Sequence, residues 1–286
     1  MKMIDLHTHS EYCQHGRDTL NLYIEEAIEK GIKFLGFSGH FPLPQGFRDP
    51  AGDSAMKKHD LKNYLHEINY WKKIIEEKKI KLFKSAEVDY IPEFKEEIFS
   101  EVSETGWDYL IGSVHFIGDW NFDFSEEIFK KGLKNLSIED AYKDYYHLVR
   151  EMVQTGKFDI VGHLDLIKKF AYFPQTDFDY GLDETLDCIR DYKMVLEVDT
   201  AGLDKKIGEI YPSEDILRKA RDQGIEITLG SDAHESFQVA RHYKTAFDII
   251  SKAGYNSLVI PNKGLKIAIP LEQCFKNYHS TINTCA

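Results

Sequence analysis

No run of 18 apolar residues occurs in the 286-residue chain, which leaves no candidate for a membrane-spanning helix and no membrane partner to expect. Cysteine is scarce. Cys13, Cys188, Cys274 and Cys285 form no CxxC pair, so reduced thiols in a cytoplasmic protein are the expectation. Glycine (19) and proline (8) are too few for a collagen-like chain, and 42% hydrophobic residues exclude a mostly disordered one. The N-terminus, MKMIDLHTHS, lacks the apolar core of a secretory signal: an acid stands at residue 5 and polar residues begin at 7. Basic residues are in deficit, 36 against 48 acidic, for a net charge of −12. Such a surface disfavours broad contact with phosphate backbones, so no nucleic-acid partner is expected. A small anionic substrate in a locally positive pocket stays open.

What is present alternates short apolar runs with amphipathic helices. Strands are expected at Ile4–Leu6, Phe34–Phe37, Leu82–Val88, Tyr109–Val114, Ile160–Gly162, Met194–Val198, Glu226–Leu229 and Ser257–Ile260. Helices are expected over 20–30, 60–77, 93–104, 138–155, 183–192, 213–223 and 237–253. Gly106, Gly156, Gly224 and Gly254 each close a helical pattern just before a strand. Repeated helix–glycine–strand units imply a parallel β/α architecture of seven to nine strands, a complete or imperfect barrel. No composition break divides residues 1–286, so a single catalytic domain is expected. Segment 41–59 reads as the main irregular loop and 117–136 as a loop-rich insertion, both able to cover a site at the strand ends.

Chemistry-bearing residues recur at one position in this pattern. His7 and His9 follow the first strand two apart, which puts both side chains on one side if the strand continues. His40, Glu87, His115, His163, Asp232 and His234 all fall near C-terminal ends of expected strands, and His15 lies in the first loop. A β/α barrel gathers its functional groups at that end. A lone HxH is more often a pair of solvated histidines; nine donors at equivalent positions point to metal. Imidazoles supply neutral nitrogens, and the two acids offset cationic charge and can bridge ions. Seven histidines and two carboxylates suffice for up to three divalent ions, with zinc, manganese and iron all compatible.

The segments DLHTHSEYCQHG, GFSGHFP, SAEVDY, GSVHF, VGHLDLI, EVDTAGL and GSDAH resemble the PHP family, named for its polymerase and histidinol phosphatase members, and more closely its histidinol-phosphate phosphatases. The resemblance runs over about residues 4–234. It implies a distorted TIM-like (β/α)7 barrel with a multinuclear metal site at its C-terminal mouth. It also implies His7, His9, Glu87 and Asp232 around one ion, Glu87 bridging to a second held by His115 and His163, and His15, His40 and His234 around a third. The implied activity is hydrolysis of L-histidinol phosphate to L-histidinol and phosphate by metal-activated water, with no phosphorylated protein intermediate. Asp232 and His234 are the candidates to relay a proton to the leaving alcohol. Another small-molecule phosphomonoesterase is the nearer alternative, a nuclease the more distant, and a metal-dependent regulatory or structural protein the non-enzymatic one.

Six basic residues are candidates for the phosphate: Arg17, Arg48, Lys168, Lys169, Lys205 and Lys206. For each, a solvated surface charge is the competing reading. Relatives often carry Asn and Arg where this chain has Asp199 and Asp204, a departure that weakens any phosphate clamp transferred to that segment. Cys13 and Ser38 have no independent nucleophile signature. Phe41, Phe47, Phe116 and Phe173 are candidates to bound an imidazole-sized substrate, and Asp165 to orient His163. The sequence does not specify an oligomeric state.

Overall fold

The computed structural model describes residues 2–75, 80–175 and 178–275, and among these eleven strands and nine α-helices form where short apolar runs alternate with amphipathic ones. The strands are β1 (Met3–Asp5), β2 (Ile32–Phe37), β3 (Lys81–Asp89), β4 (Tyr109–Ser113), β5 (Phe116–Ile117), β6 (Trp120–Asn121), β7 (Ile160–Val161), β8 (Val195–Asp199), β9 (Ile227–Gly230), β10 (Ser257–Asn262) and β11 (Leu265–Pro270). Every residue of β1, β4, β7, β8 and β9 is buried, as strands covered on both faces require. The helices are α1 (Leu20–Glu29), α2 (Leu61–Ile74), α3 (Lys95–Ser103), α4 (Glu126–Gly132), α5 (Ile138–Gln154), α6 (Leu182–Asp191), α7 (Glu214–Asp222), α8 (Tyr243–Lys252) and α9 (Leu271–Cys274). α5 shows why they dock: Tyr142, Tyr145, Tyr146, Val149, Met152 and Val153 form one buried stripe at helical spacing. No described helix is long and apolar enough to cross a membrane.

Seven strands pair in parallel in the order β1-β2-β3-β4-β7-β8-β9. The ends of the row nearly meet: the Leu6 amide donates to Leu229 O at 3.0 Å and His9 N to Ala233 O at 2.8 Å. Inside the ring, the Tyr109 hydroxyl of β4 reaches across to donate to Leu6 O at 2.5 Å. This is the expected barrel of seven strands with helices between them. Gly224, at φ 75°, supplies the left-handed turn that ends α7 and lets the chain drop into β9.

Two expectations are corrected. β10 does not join the parallel series; it pairs antiparallel with β11, outside the barrel sheet. The cause is local. Lys263 and Gly264 both have positive φ (50° and 75°), the backbone of a two-residue turn that reverses the chain before any crossover. The helix expected over 237–253 begins only at Tyr243, because Ala240 and His242 are left-handed (φ 56° and 57°) and the Ala240 amide is drawn to the Asp5 carboxylate at 2.9 Å. The loop-rich segment 117–136 holds most of the β5–β6 hairpin and α4, whose first turn is capped by Ser125 Oγ. Residues 76–77 of the expected second helix, and Cys285, lie outside the described residues.

Candidate metal centre

All nine predicted donors arrive at the C-terminal mouth of the barrel. The chain beyond β1 keeps strand-like pairing, with Ser38 N donating to Thr8 O and Thr8 Oγ1 to Gly36 O, so His7 and His9 emerge on the same side. Glu87 comes from β3, whose backbone is gripped by the turn carrying His40 (Phe41 N to Glu87 O, 2.7 Å). His163 and Asp232 follow β7 and β9 on left-handed backbone (φ 22° and 47°), a conformation that costs a non-glycine residue about 1–3 kcal/mol and concentrates at functional sites.

The distances sort the donors into overlapping sets. Glu87 Oε2 lies 3.2 Å from His7 Nε2, 3.5 Å from His9 Nε2 and 3.1 Å from His40 Nδ1. Asp232 Oδ1 lies 2.9 Å from His9 Nε2 and 3.7 Å from His7 Nε2. Glu87 Oε1 faces His163 Nε2 at 2.8 Å and His115 Nε2 at 3.5 Å, and those two nitrogens are 3.2 Å apart. His15 Nε2 and His234 Nε2 are 3.0 Å apart. His40 sits between the sets: it groups with His9 and His234, and also with Asp89 and His115.

Elementary chemistry shows that these groups fit cations. Among the described residues, His7 Nε2, His9 Nε2, His40 Nδ1 and Glu87 Oε2 are buried without a hydrogen-bond partner. Unpartnered buried polar atoms are costly, yet these four converge. Two ligands each about 2.0 Å from one tetrahedral ion stand about 3.3 Å apart, which is the spacing seen. Burial pushes His9, His40 and His234 below the usual imidazole range, towards the neutral form that donates a lone pair. Burial would raise Glu87, but the surrounding imidazoles of His7, His40 and His115 outweigh it and hold the carboxyl well below its usual range.

The rings are aimed by groups that sequence reasoning did not single out. Glu197 Oε1 holds His7 Nδ1 at 2.7 Å, and its other oxygen accepts the His163 amide at 3.1 Å. Asp89 Oδ1 holds His115 Nδ1 at 2.7 Å. Backbone oxygens of Asp53 and Asp232 hold His15 Nδ1 and His234 Nδ1 at 2.8 and 3.1 Å. Such partners fix tautomer and orientation in metal sites. Gly230 makes the Glu197 bond possible: a Cβ there would overlap Glu197 Oε1 and come within 2.5 Å of the His7 Cβ. Cys13 accepts the His40 amide, and burial pushes its thiol up to about 12, so it is no nucleophile at neutral pH. Ser38 is spent on the Thr8 backbone.

Above the donors lies a cavity of about 280 Å³. His15, His40, Glu87, His115, His163, Asp232 and His234 line it on the donor side, and Lys169, Lys205 and Arg241 add positive charge. Phe116, Phe124, Leu166 and Tyr211 give it apolar surface. Both expected covering loops contribute, Ser54 from one and Asn121, Asp123 and Phe124 from the other, joined by Asn121 Nδ2 donating to Ser54 Oγ at 3.0 Å.

The six basic candidates divide. Lys169 lines the cavity, paired with Asp123 at 3.0 Å; Lys205 lines it too, its ammonium lowered by burial and then by the nearby charge of Lys169. The other four do not line it. The Lys168 ammonium is buried between Asp165 and Glu209, 2.9 Å from each, so it closes a structural ion pair. Lys206 is bound to Glu126, Arg17 is 75% exposed beside Glu235, and Arg48 is exposed. Asp165 therefore serves Lys168 and the Ser213 amide and does not orient His163, whose Nδ1 has no partner among the described residues. Of the aromatic candidates only Phe116 lines the cavity, while Phe124 was missed. Asp199 is buried under the site and accepts the Ala201 amide; burial, then the charges of Asp232 and Glu197, push its carboxyl up to about 8. Asp204 holds Arg241 and His242 at 3.2 and 2.6 Å.

Comparison with known proteins places these residues in context. Residues 5–201 match the model of the PHP domain. The chain is 35% identical to the histidinol-phosphatase of Bacillus subtilis over 85% of its own length and 98% of the relative's. It is 31% identical to a protein of Deinococcus radiodurans named a probable histidinol-phosphatase, over 92% and 98% of the two chains. Its fold is similar to the crystal structure of histidinol phosphate phosphatase from Lactococcus lactis in complex with zinc, L-histidinol and phosphate. The TM-score is 0.76 at 26% identity, covering 93% of this chain and 99% of the other.

Proposed function

This chain belongs to the PHP domain family, and from that premise we propose that it is a metal-dependent phosphatase, one catalytic domain over residues 1–286, that hydrolyses L-histidinol phosphate to L-histidinol and inorganic phosphate in histidine biosynthesis. The observation that carries the reading is the convergence of unpartnered, buried His7, His9, His40 and Glu87 atoms beneath a cavity that also presents Lys169, Lys205 and Arg241. The near full-length likeness to histidinol-phosphatases supports the substrate. Divalent cations held by His7, His9, His15, His40, Glu87, His115, His163, Asp232 and His234, up to three per chain and of zinc, manganese or iron, supply Lewis acidity towards phosphate oxygens and water.

The chain's own residues do the rest. Lys169 and Lys205 set positive potential opposite the donor cluster and draw a dianionic phosphate into the cavity. Phe116, Phe124 and Leu166 offer apolar surface to the organic leaving group, and Asp123 a carboxylate within the same cavity. Asp232 and His234 border both the donors and the cavity, and to them we assign the proton that the leaving alcohol takes up. A cytoplasmic location suits this metabolic role.

The test compares L-histidinol phosphate with unrelated phosphate monoesters and short DNA, after loading with zinc, manganese or iron separately, following both phosphate and the organic product. Preferential turnover of L-histidinol phosphate is expected, and it should vanish in folded His7→Ala and Glu87→Ala variants. Comparable turnover of many monoesters would make this a broad phosphatase. DNA cleavage without histidinol phosphate turnover would overturn the reading.

A further inference from the structure

We infer that Arg241, a residue outside the nine metal donors and the six basic candidates, is the phosphate-gripping fork of this cavity, and that Asp204 restrains its charge. This rests on the phosphatase reading above and names a residue for it.

Arg241 lines the cavity with Asp232 and His234, and its side chain is only 12% exposed. Three acceptors hold it. Nε donates to Ser231 O at 3.0 Å, one terminal nitrogen to Asp232 O at 3.0 Å, and the other to Asp204 Oδ2 at 3.2 Å. A guanidinium has five N–H donors. These bonds use three, leaving one on each terminal nitrogen. A phosphate that takes both of these donors is gripped at two oxygens at once. The backbone acceptors belong to the turn that carries Asp232, so the fork is locked in register with the donor cluster. The two cavity lysines offer only single-point charges, and Lys169 is already matched by Asp123.

Asp204 works in the opposite sense. Its carboxylate also takes His242 Nε2 at 2.6 Å and is 44% exposed, so it offsets the charge of Arg241 from the rim. The two backbone acceptors suffice to keep the guanidinium in place without it. Removing its charge therefore raises the potential felt by phosphate.

The experiment measures inorganic phosphate binding to the zinc-loaded enzyme, by calorimetry and by competitive inhibition, with bound zinc per chain counted in each sample. Wild-type turnover of L-histidinol phosphate is recorded first. Arg241→Gln is expected to weaken phosphate binding by about ten- to a hundredfold with zinc content unchanged, and Arg241→Lys to recover only part of it. Asp204→Asn is expected to tighten phosphate by about two- to fivefold, an effect that shrinks at high salt. This arm decides the matter even if the Arg241 variants do not fold. Unchanged phosphate affinity in Arg241→Gln overturns the inference, as does zinc loss in step with affinity, which would make Arg241 a scaffold for the Asp232 turn. Unchanged or weaker binding in Asp204→Asn also overturns it. A wild-type enzyme that binds phosphate but ignores L-histidinol phosphate would sink the substrate assignment and leave Arg241 standing. One that binds no phosphate takes both down.

Discussion

Replacing Glu197 by Gln should weaken metal binding without touching a metal donor. The carboxylate is 1% exposed and faces two donors, the His7 ring N–H at 2.7 Å and the His163 amide at 3.1 Å. Two acceptor oxygens fit two donors. An amide in the same place turns an NH2 group on one of them, so either His7 loses the partner that fixes its tautomer or the His163 turn loses its tether. Losing one such orienting partner typically lowers metal affinity about 10- to 100-fold, or about 1.4–2.8 kcal/mol. Gly230→Ala reaches the same bond from the other side, because its Cβ would displace the Glu197 carboxylate. Zinc affinity measured by competition with a chelating dye, alongside thermal unfolding of the zinc-free proteins, separates site damage from global instability. Both variants are expected to fold and to lose zinc affinity together. A folded Glu197→Gln protein with zinc affinity within about threefold of wild type would refute the role given to Glu197.

Two further outcomes test stability. Lys168→Met should destabilise the protein by about 3 kcal/mol, by stranding the buried Asp165 carboxylate, while phosphate inhibition stays unchanged; weakened phosphate inhibition in the folded variant would return Lys168 to the binding site. Asp108, 7% exposed, accepts from Lys72 Nζ at 2.6 Å and the Lys84 amide at 2.8 Å; burial would raise its carboxyl, but these bonds hold it below its usual range. Its stabilisation is thus complete above the ordinary carboxylate value of about 4 and lost as pH falls through the lowered folded value. Asp108→Asn should cost about 1–3 kcal/mol in denaturant titrations at pH 7, and the gap from wild type should close in acid; a gap independent of pH would refute this.

The barrel and its donors were legible because both rest on local pattern. Burial on two faces makes β4 and β7 short, mostly apolar runs, and a donor just past such a run, as His115 and His163 are, emerges at the mouth. Asp89 and Glu197 escaped notice although a signal existed. Asp89 lies two residues after Glu87 on β3, and so on the same face. Glu197 is a charged residue inside a wholly buried strand, which no chain tolerates without a partner. The β10–β11 hairpin was missed for a different reason. Its apolar content matches a barrel strand, and of the two turn residues with positive φ, Lys263 and Gly264, the first is of a type that rarely adopts it.

Cations were the least legible, because a lysine's role is set by what stands beside it in space. Lys168 and Lys169 are adjacent in sequence, yet Asp165 and Glu209 consume the first while the second reaches the cavity wall. Proximity to a motif could not separate them. Asp204 makes the same point in reverse. Read alone, an acid there argues against a phosphate clamp. In the fold it is the counter-charge of Arg241, which stands 37 residues further along the chain and enters the cavity only because Ala240 and His242 break the helix that the sequence pattern predicts. The interruption that defeated the helix assignment is what delivers the guanidinium to the site. An uninterrupted helix over 237–253 would leave the donor cluster facing only the point charges of Lys169 and Lys205.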